Sequence, residues 1–329
     1  MDKCLITTVP FGENNRFPLE ILESNNINYT INPFNRKLKE EDLIELLKNN
    51  NFEYIIAGTE PISRKVLEAA SNLKHISRVG IGLDSVDLIA ARERGIEVSF
   101  TPDAPAPAVA ELTIGLIIDL LRGVHLSNSE MHRGVWKRHF GRRISEINIG
   151  VIGLGRIGTR VLRRLKGFGT PKIFVNDILP DLELNREFKL NWVSKEIIYK
   201  EADLITLHLP LTKKTKGMIG EKELNLMKKD ALIINTSRGG IIDEQALYEK
   251  LNSGCLAGAA IDVFNKEPYE GPLNQLDKCI LTAHMGSMSV DCRTRMEIEA
   301  TEETIRFIKG KPLLSKVPEE EYALQKEYL

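Results

Sequence analysis

A glycine-rich segment, "INIGVIGLGRIGTRVLRRLKGFG", constrains the fold of this chain more than any other stretch. A strand-like apolar run leads into Gly153, Gly155 and Gly158, and a run with helical spacing follows directly. In such a unit the first glycine permits a tight turn, the second lets the backbone approach a pyrophosphate, and the third allows close packing of helix on strand. The start of the helix, at Arg156 and Ile157, favours the phosphates. The segment therefore predicts a dinucleotide site in a doubly wound parallel sheet.

The next strand-like run, "KIFVND", ends at Asp177, about 20 residues beyond the glycines, where an acidic side chain binds the ribose hydroxyls in such folds. A carboxylate at that position repels a 2′-phosphate. NAD is therefore expected as the cofactor rather than NADP. A helix cap or a turn residue is the alternative interpretation of Asp177.

The remaining pattern indicates two α/β domains. Short apolar runs alternate with helical stretches over the first hundred residues, and a second alternation runs from "INIGVIG" to "CILTAH". Between them, the prolines of "TPDAPAPAVAEL" indicate a stiff connection that leads into a long apolar helix. We predict a substrate-binding domain over 1–102, completed by 287–311, and an NAD-binding Rossmann domain over 103–286. The segment 312–329 is predicted as a C-terminal tail or a terminal helix.

Composition excludes several other classes of function. The 329 residues carry a net charge of −1, which gives no electrostatic reason to expect nucleic acid or an anionic membrane as partner. The four cysteines show no metal-like spacing and are typical of a reduced, intracellular protein. The first residues lack the apolar stretch of a signal peptide, and "LTIGLIIDLL" is too short to span a bilayer. We expect a cytoplasmic protein that binds small molecules and no metal.

Three successive predicted strands end in side chains that suit acid–base chemistry. Arg238 follows "LIINTS", Asp262 and Glu267 follow "AGAAI", and His284 ends "CILTAH". Ligands of open α/β sheets gather at the carboxyl ends of strands. A guanidinium can bind a 2-keto or 2-hydroxy carboxylate through two parallel hydrogen bonds. A lone histidine or a lone loop glutamate is more often structural. The arginine, the two carboxylates and the histidine together, beside a dinucleotide site, indicate catalysis.

The histidine has a specific use in this chemistry. Reduction of a ketone by hydride requires a proton for the new hydroxyl group, and the reverse oxidation requires a base. An imidazole titrates near pH ~6.5 in water and can serve as either. A carboxylate such as Glu267 would orient the ring and favour its protonated form. We therefore predict His284 as the general acid and base, an effect worth ~10²–10⁴ in rate.

With these residues in place, the chain resembles the D-isomer-specific 2-hydroxyacid dehydrogenases, the family of D-3-phosphoglycerate dehydrogenase and glyoxylate/hydroxypyruvate reductase. The similarity is densest in "GVIGLGRIG", "HLPLTKKTKGMI", "MKKDALIINTSRGGIIDEQAL", "AGAAIDVFNKEP" and "LTAHMGS". It implies that Arg238 binds and polarises the substrate, that His284 is the acid and base with Glu267 as its support, and that Asp262 approaches the nicotinamide. Further cofactor contacts implied by these motifs are His208, Pro210, Thr215, Thr236 and Gly286.

The resemblance also covers the first domain. In "SRVGIGLDSVDL", the backbone amides around Val79 and Gly80 are implied to receive the substrate carboxylate, as consecutive N–H groups beside a glycine can. A plain strand-to-helix turn is the alternative. The implied architecture is a flavodoxin-like substrate domain and an NAD-binding domain with an active-site cleft between them. The family further implies a homodimer built by the long helix after Pro107.

The substrate stays open because the chain departs from the family pattern. Glu60 and Pro61 stand where many phosphoglycerate dehydrogenases carry an Arg-Ser pair, and Pro105 aligns with a substrate-facing asparagine. A phosphorylated substrate would therefore need another cation. One candidate is a basic cluster that could equally be a solvated face, formed by Lys137, Arg138, Arg142 and Arg143.

The sequence leaves several functions open. The leading interpretation is a reversible NAD-dependent D-2-hydroxyacid dehydrogenase, with 3-phosphoglycerate as one possible substrate. A glyoxylate/hydroxypyruvate or phosphonopyruvate-type reductase is the first alternative. An NAD(H)-sensing binding protein and a formate- or phosphite-type dehydrogenase are the others.

Overall fold

A computed structural model describes residues 3–169 and 171–326 of the chain. It contains two compact units. The first unit is Met1–Pro105 with Met288–Leu329, and the second unit is Ala106–Ser287. The strands are β1 Lys3–Ile6, β2 Asn28–Ile31, β3 Tyr54–Ala57, β4 His75–Arg78, β5 Glu97–Phe100, β6 Asn148–Ile152, β7 Lys172–Asn176, β8 Asn191–Trp192, β9 Leu204–Leu207, β10 Leu232–Asn235, β11 Gly258–Ile261 and β12 Cys279–Leu281. The helices are α1 Phe17–Ser24, α2 Glu40–Asn49, α3 Arg64–Ala69, α4 Leu88–Glu93, α5 Ala106–Arg122, α6 Val124–His132, α7 Arg156–Leu165, α8 Leu182–Phe188, α9 Lys195–Glu201, α10 Glu221–Leu226, α11 Glu244–Asn252, α12 Val290–Ile308 and α13 Glu319–Lys326.

The first unit is built on a five-stranded sheet with the order β2-β1-β3-β4-β5. Every strand pair is parallel, and the order is that of flavodoxin-like folds. Residues Leu5, Ile55, Ile76 and Val98 of the four adjacent strands β1, β3, β4 and β5 are fully buried. Helices cover both faces of a parallel sheet, and the inner strands β3 and β4 are accordingly buried at every residue. Because all strands are parallel, their carboxyl ends meet at one edge.

The C-terminal segment of the first unit is partly helical. Tyr322 of α13 is buried, and the guanidinium of Arg92 on α4 lies 3.3 Å from the centre of its ring. Arg92 also pairs with Glu319 at 2.7 Å. Of the two possibilities that the sequence left open, a tail or a terminal helix, the structure has a helix over 319–326.

The second unit is built on a seven-stranded parallel sheet with the order β12-β11-β10-β9-β6-β7-β8. The strand order reverses between β6 and β9, which are direct neighbours in the sheet. In doubly wound sheets, ligands bind at this switch point, outside the carboxyl ends of the strands. The prediction of two α/β domains with parallel, Rossmann-like sheets is confirmed.

The sequence pattern did not reveal every element. The short helices α1, α8 and α9, the helix α6 and the two-residue edge strand β8 were not anticipated. Helix α6 has no buried residue and therefore shows no apolar stripe. Among the residues that the structure describes, no helix is both long and apolar enough to cross a bilayer.

Candidate active site

The glycine-rich turn after β6 is shaped by close backbone contacts. Gly153 has a φ of +94°, and a Cβ atom on it would lie 2.2 Å from the carbonyl oxygen of His208. A Cβ on Gly158 would lie 2.0 Å from the carbonyl oxygen of Gly153. Around a Cβ on Gly155, by contrast, no described atom lies within 4 Å. Packing therefore requires glycine at positions 153 and 158, whereas Gly155 leaves open space at the start of α7.

Asp177 lies beside this turn. It follows the last residue of β7, and its carboxylate accepts hydrogen bonds from the backbone N–H of Leu154 at 2.6 Å and of Leu179 at 3.2 Å. Arg156 and Ile157 are the first residues of α7, which begins after Gly155. The carboxylate is therefore held at the glycine turn by the turn's own backbone.

The loop after β9 borders the same turn. His208 is buried, its Nε2 lies 3.0 Å from the hydroxyl of Thr206, and burial lowers the pKa of the imidazole to about 3. The hydroxyl of Thr215 donates to the carbonyl of Pro210 at 2.6 Å and accepts from the N–H of Thr212 at 2.7 Å. His208 is therefore a neutral side chain, and the loop that holds Pro210 and Thr215 is braced internally.

Arg238 stands just beyond the end of β10. Its Nη1 donates to the carbonyl of Ser237 at 2.7 Å, and its own carbonyl accepts from the side-chain amide of Asn235 at 2.8 Å. A Cβ on the next residue, Gly239, would lie 2.0 Å from the carbonyl oxygen of Phe264. The loop after β10 therefore lies directly against the loop after β11, a contact that only glycine permits.

Thr236 lies in the same loop but is buried. Its hydroxyl lies 2.9 Å from that of Thr113 on α5, which donates to the carbonyl of Val109 at 2.8 Å. These two bonds tie the end of β10 to the long helix α5.

His284 and Glu267 form a direct pair. The Nδ1 atom of His284 lies 3.0 Å from Oε2 and 3.1 Å from Oε1 of Glu267. Oε1 also accepts from the N–H of Phe264 at 3.1 Å, which orients the carboxylate. The side chain of His284 is 40% exposed, and its backbone has a φ of +49°. The ring is thus held at one nitrogen by a carboxylate while the side chain stays accessible.

Asp262 organises the turn that carries this histidine. It is buried, and its two oxygens accept from the hydroxyl of Thr282 at 2.6 Å, the N–H of Met285 at 2.8 Å and the N–H of Gly286 at 2.9 Å. Burial raises the pKa of Asp262, and these hydrogen bonds oppose the rise. The backbone carbonyl of Asp262 accepts from the N–H of His284 at 2.9 Å. The observed contacts make Asp262 a support for the strained histidine turn.

The predicted anion-binding turn of the first unit follows β4. The N–H of Val79 donates to the last carbonyl of β3 at 2.8 Å, and the N–H of Gly80 donates to the hydroxyl of Thr101 at 2.6 Å. Both predicted amides are therefore engaged. The N–H groups of Ile81 and Gly82, next in the same turn, donate to no acceptor in the described part of the chain. An anion at this turn would meet Ile81 and Gly82.

Sequence reasoning missed several charged residues at this edge of the first sheet. Arg78, the last residue of β4, is buried, and its guanidinium donates to the carbonyl of Val79 and occupies the space that a side chain on Gly80 would need. On α12, buried Arg293 pairs with Glu297 at 2.6 Å. An arginine directly before a glycine turn and an Arg–Glu pair at i,i+4 were the available signals.

The basic cluster is largely paired within the second unit. Lys137 pairs with Glu130 at 3.2 Å, Arg142 pairs with Asp230 at 3.2 Å, and Arg143 pairs with Glu146. These pairs favour a solvated face over a phosphate site.

Comparison with known proteins is consistent across sequence and structure. Residues 114–286 match the family model described as "D-isomer specific 2-hydroxyacid dehydrogenase, NAD binding domain". The chain is 38% identical to a D-3-phosphoglycerate dehydrogenase of Methanocaldococcus jannaschii over 301 residues, covering 89% of this chain and 57% of the relative. It is 34% identical to a hydroxypyruvate reductase of Thermotoga maritima, covering 82% of this chain and 88% of the relative.

The structural comparison agrees. A crystal structure of a glyoxylate reductase from Paecilomyes thermophila superimposes with a TM-score of 0.85 at 30% identity, covering 97% of this chain and 99% of the other. The chain spans little more than half the length of the phosphoglycerate dehydrogenase from M. jannaschii.

Proposed function

Because the chain belongs to the family of D-isomer-specific 2-hydroxyacid dehydrogenases, we propose that it catalyses reversible hydride transfer between NAD(H) and a small 2-keto or 2-hydroxy acid. The observation that carries the proposal is the His284–Glu267 pair at the end of a strand in the sheet that also bears the glycine turn. The names of the relatives make hydroxypyruvate, glyoxylate and 3-phosphohydroxypyruvate the first substrates to test.

The second unit fits NAD by its own geometry. The open space at Gly155 lets a pyrophosphate approach the start of α7, and Asp177 is held beside that turn, where it would bind the ribose. The rest of the proposed cofactor site is formed by Gly153, Arg156, Ile157, Gly158, His208, Pro210, Thr215, Thr236, Asp262 and Gly286. When bound, the nicotinamide supplies or accepts the hydride.

The protein's own residues supply the remaining chemistry. Arg238 binds the carboxylate and the keto oxygen of the substrate, which polarises the carbonyl. Since Glu267 accepts at Nδ1 of His284, that nitrogen carries a hydrogen and Nε2 is the atom that exchanges a proton. In the reductive direction, protonated His284 donates the Nε2 proton to the oxygen that becomes the hydroxyl, and in oxidation the neutral ring takes it back. In the first unit, the N–H groups of Ile81 and Gly82, in the turn after β4, would meet a carboxylate, since those of Val79 and Gly80 already donate to Ala57 and Thr101.

The test is NADH oxidation by the purified protein against glyoxylate, pyruvate, hydroxypyruvate, 3-phosphohydroxypyruvate and phosphonopyruvate. We expect turnover that falls ~10²–10⁴-fold in His284→Ala, with NADH binding unchanged by fluorescence titration. NADH binding without turnover of any keto acid would contradict the proposal and favour an NAD(H) sensor. Reduction of NAD by formate or phosphite would favour the alternative of a formate- or phosphite-type dehydrogenase.

The protein is further proposed to be a cytoplasmic homodimer. All four cysteines are free thiols, which is consistent with a reducing compartment. On and after α6, the large apolar side chains of Met131, Val135, Trp136 and Phe140 are exposed, with Trp136 at 77%. A second copy would cover them, as exposed apolar groups of this size mark protein interfaces. Sedimentation of Trp136→Ser/Phe140→Ser should show a monomer, and an unchanged mass for this variant would contradict the proposed interface.

A further inference from the structure

Glu244 is a carboxylate that the proposed reaction does not use. It is the first residue of α11 and is half-buried. Its neighbour Asp243 caps this helix, because the Asp243 side chain accepts from the N–H groups of Gln245 and Ala246, both at 3.0 Å. The start of α11 therefore does not need Glu244 as a cap, and its carboxylate is available for another contact.

The carboxylate of Glu244 binds the loop after β11, which also carries Glu267. Its Oε1 accepts from the backbone N–H of Asn265 at 2.6 Å. The preceding N–H of the loop, that of Phe264, donates to Glu267 at 3.1 Å. Two carboxylates thus hold two consecutive amides, and one of the two carboxylates is the partner of His284.

The pKa of Glu244 reflects how close these carboxylates lie. Burial raises the pKa of Glu244, and the negative charges of Asp243 and Glu267 also raise it, while the hydrogen bond from the N–H of Asn265 opposes the rise. Like charges raise the pKa of a carboxyl group only when they lie nearby. Glu244 is therefore a close neighbour of Glu267, and hydrogen bonds from the loop backbone offset the repulsion between the two charges.

The peptide group that Glu244 holds also contacts the loop of Arg238. A Cβ on Gly239 would lie 2.0 Å from the carbonyl oxygen of Phe264 and 2.7 Å from the backbone nitrogen of Asn265, which belong to the same peptide group. A shift of this peptide would move the adjacent amide that orients the carboxylate of the histidine pair. It would also disturb the loop after β10, so two proposed catalytic groups depend on its place.

We infer that Glu244 is a positioning residue, which holds the loop of Glu267 and thereby keeps His284 aligned for proton transfer. The inference rests on the proposed function and adds to it a residue with no assigned contact to substrate or cofactor. The physical reason is alignment, because a misplacement of ~1 Å at a reacting group can cost ~10²-fold in rate.

The first experiment measures kcat of Glu244→Ala with the keto acid of the panel above that the unsubstituted protein reduces fastest. We expect kcat to fall ~10-fold or more, because the N–H of Asn265 loses its acceptor and the loop is no longer fixed. The Kd for NADH should stay unchanged. Glu249→Ala is the matched control, because Glu249 is an exposed residue of the same helix that accepts from the side chain of Gln245 at 2.9 Å. The control should leave kcat unchanged.

Conservative variants separate the hydrogen bond from the charge. Glu244→Gln keeps an oxygen that can accept from the N–H of Asn265, so kcat should return well above that of Glu244→Ala. Glu244→Asp keeps the charge but withdraws it by one methylene, so kcat should be as low as in Glu244→Ala. If Glu244→Ala does not fold, the comparison of the Gln and Asp variants decides.

A double-mutant cycle shows whether Glu244 acts through Glu267. In a Glu267→Ala background, Glu244→Ala should cost nothing further in kcat, because the loop no longer carries a carboxylate to position. A residue that only stabilised the fold would lower kcat by the same factor in both backgrounds.

The outcomes distinguish a failure of the inference from a failure of the proposed function. An unchanged kcat in Glu244→Ala would overturn the inference, as would equal factors in the two backgrounds or a Gln variant as slow as the Ala variant. In each of these cases the unsubstituted protein still reduces a keto acid, so the proposed function stands. Absence of turnover with every keto acid in the unsubstituted protein would contradict the proposed function, and the inference with it.

Discussion

Gly155→Ala is the sharpest test of the dinucleotide turn, because the structure separates its effect on binding from its effect on folding. The backbone φ of Gly155 is −69°, which alanine adopts readily, and a Cβ there meets no described atom within 4 Å. Removing a glycine at a compatible site stabilises a protein by ~0.4–1 kcal/mol through the unfolded chain. The free energy of unfolding should therefore stay level or rise slightly.

Cofactor binding should respond in the opposite direction. The new methyl group would occupy the space at the start of α7 where a pyrophosphate must approach the backbone. We expect the Kd for NADH to rise at least tenfold, which corresponds to ~1.4 kcal/mol. Fluorescence titration with NADH measures the Kd, and thermal denaturation of the same samples measures stability.

Gly158→Ala is the matched control. Its Cβ would lie 2.0 Å from the carbonyl oxygen of Gly153, well inside the 3.0 Å below which Cβ contacts essentially never occur. Backbone cannot move aside cheaply, so the expected loss is at the upper end of the ~1–3 kcal/mol typical of overpacking, or beyond it. NADH binding by Gly155→Ala as tight as that of the unsubstituted protein would refute the reasoning. So would a lower melting temperature for Gly155→Ala than for Gly158→Ala.

Three further predictions concern the histidine turn and the first sheet. Glu267→Gln should lower kcat at least tenfold without changing the Kd for NADH, because a neutral amide stabilises protonated His284 less, and an unchanged kcat would contradict the proposed role. Asp262→Asn should lower stability by ~1.5–3 kcal/mol, since a charged group that accepts backbone hydrogen bonds is lost, and an unchanged urea midpoint would argue against it as the support of the turn. Burial lowers the pKa of His75 to about 3, below the ~6.5 of an unfolded chain, so the unfolded state binds this proton first and stability falls as pH drops from 6.5 towards 3. Urea unfolding at pH 7.5 and 4.5 should therefore show that the free energy of unfolding falls less on acidification in His75→Gln than in the unsubstituted protein. Equal decreases would mean that other groups cause the acid sensitivity.

Local sequence was sufficient to single out the proposed dinucleotide turn. Gly153, Gly155 and Gly158 lie within one strand-turn-helix unit, where close contacts demand the first and third and the approach to a pyrophosphate favours the second, so their spacing carries the information. The alternation of apolar runs with helical stretches similarly predicted parallel sheets, and parallel strands bring their carboxyl ends to one edge. The proposed catalytic side chains of the second unit, Arg238, Glu267 and His284, could be chosen on that ground, because each follows a predicted strand.

Contacts between segments that are distant in sequence decided which hydrogen-bond partners the remaining polar groups have. The amides of Val79 and Gly80 looked available in sequence, but tertiary packing pairs the second of them with the hydroxyl of Thr101 on another strand end. Arg293 meets Thr8 across 285 residues, and no local pattern records which polar groups two remote segments will satisfy in each other. Hydrogen-bond partners of buried groups depend on the whole fold, because burial forces each group to use whichever partner packing brings near. The sequence by itself thus determined the family, the proposed cofactor turn and the strand ends that carry the proposed catalytic residues, while only the tertiary structure decided which hydrogen-bond partners the turn amides and the buried charged groups find.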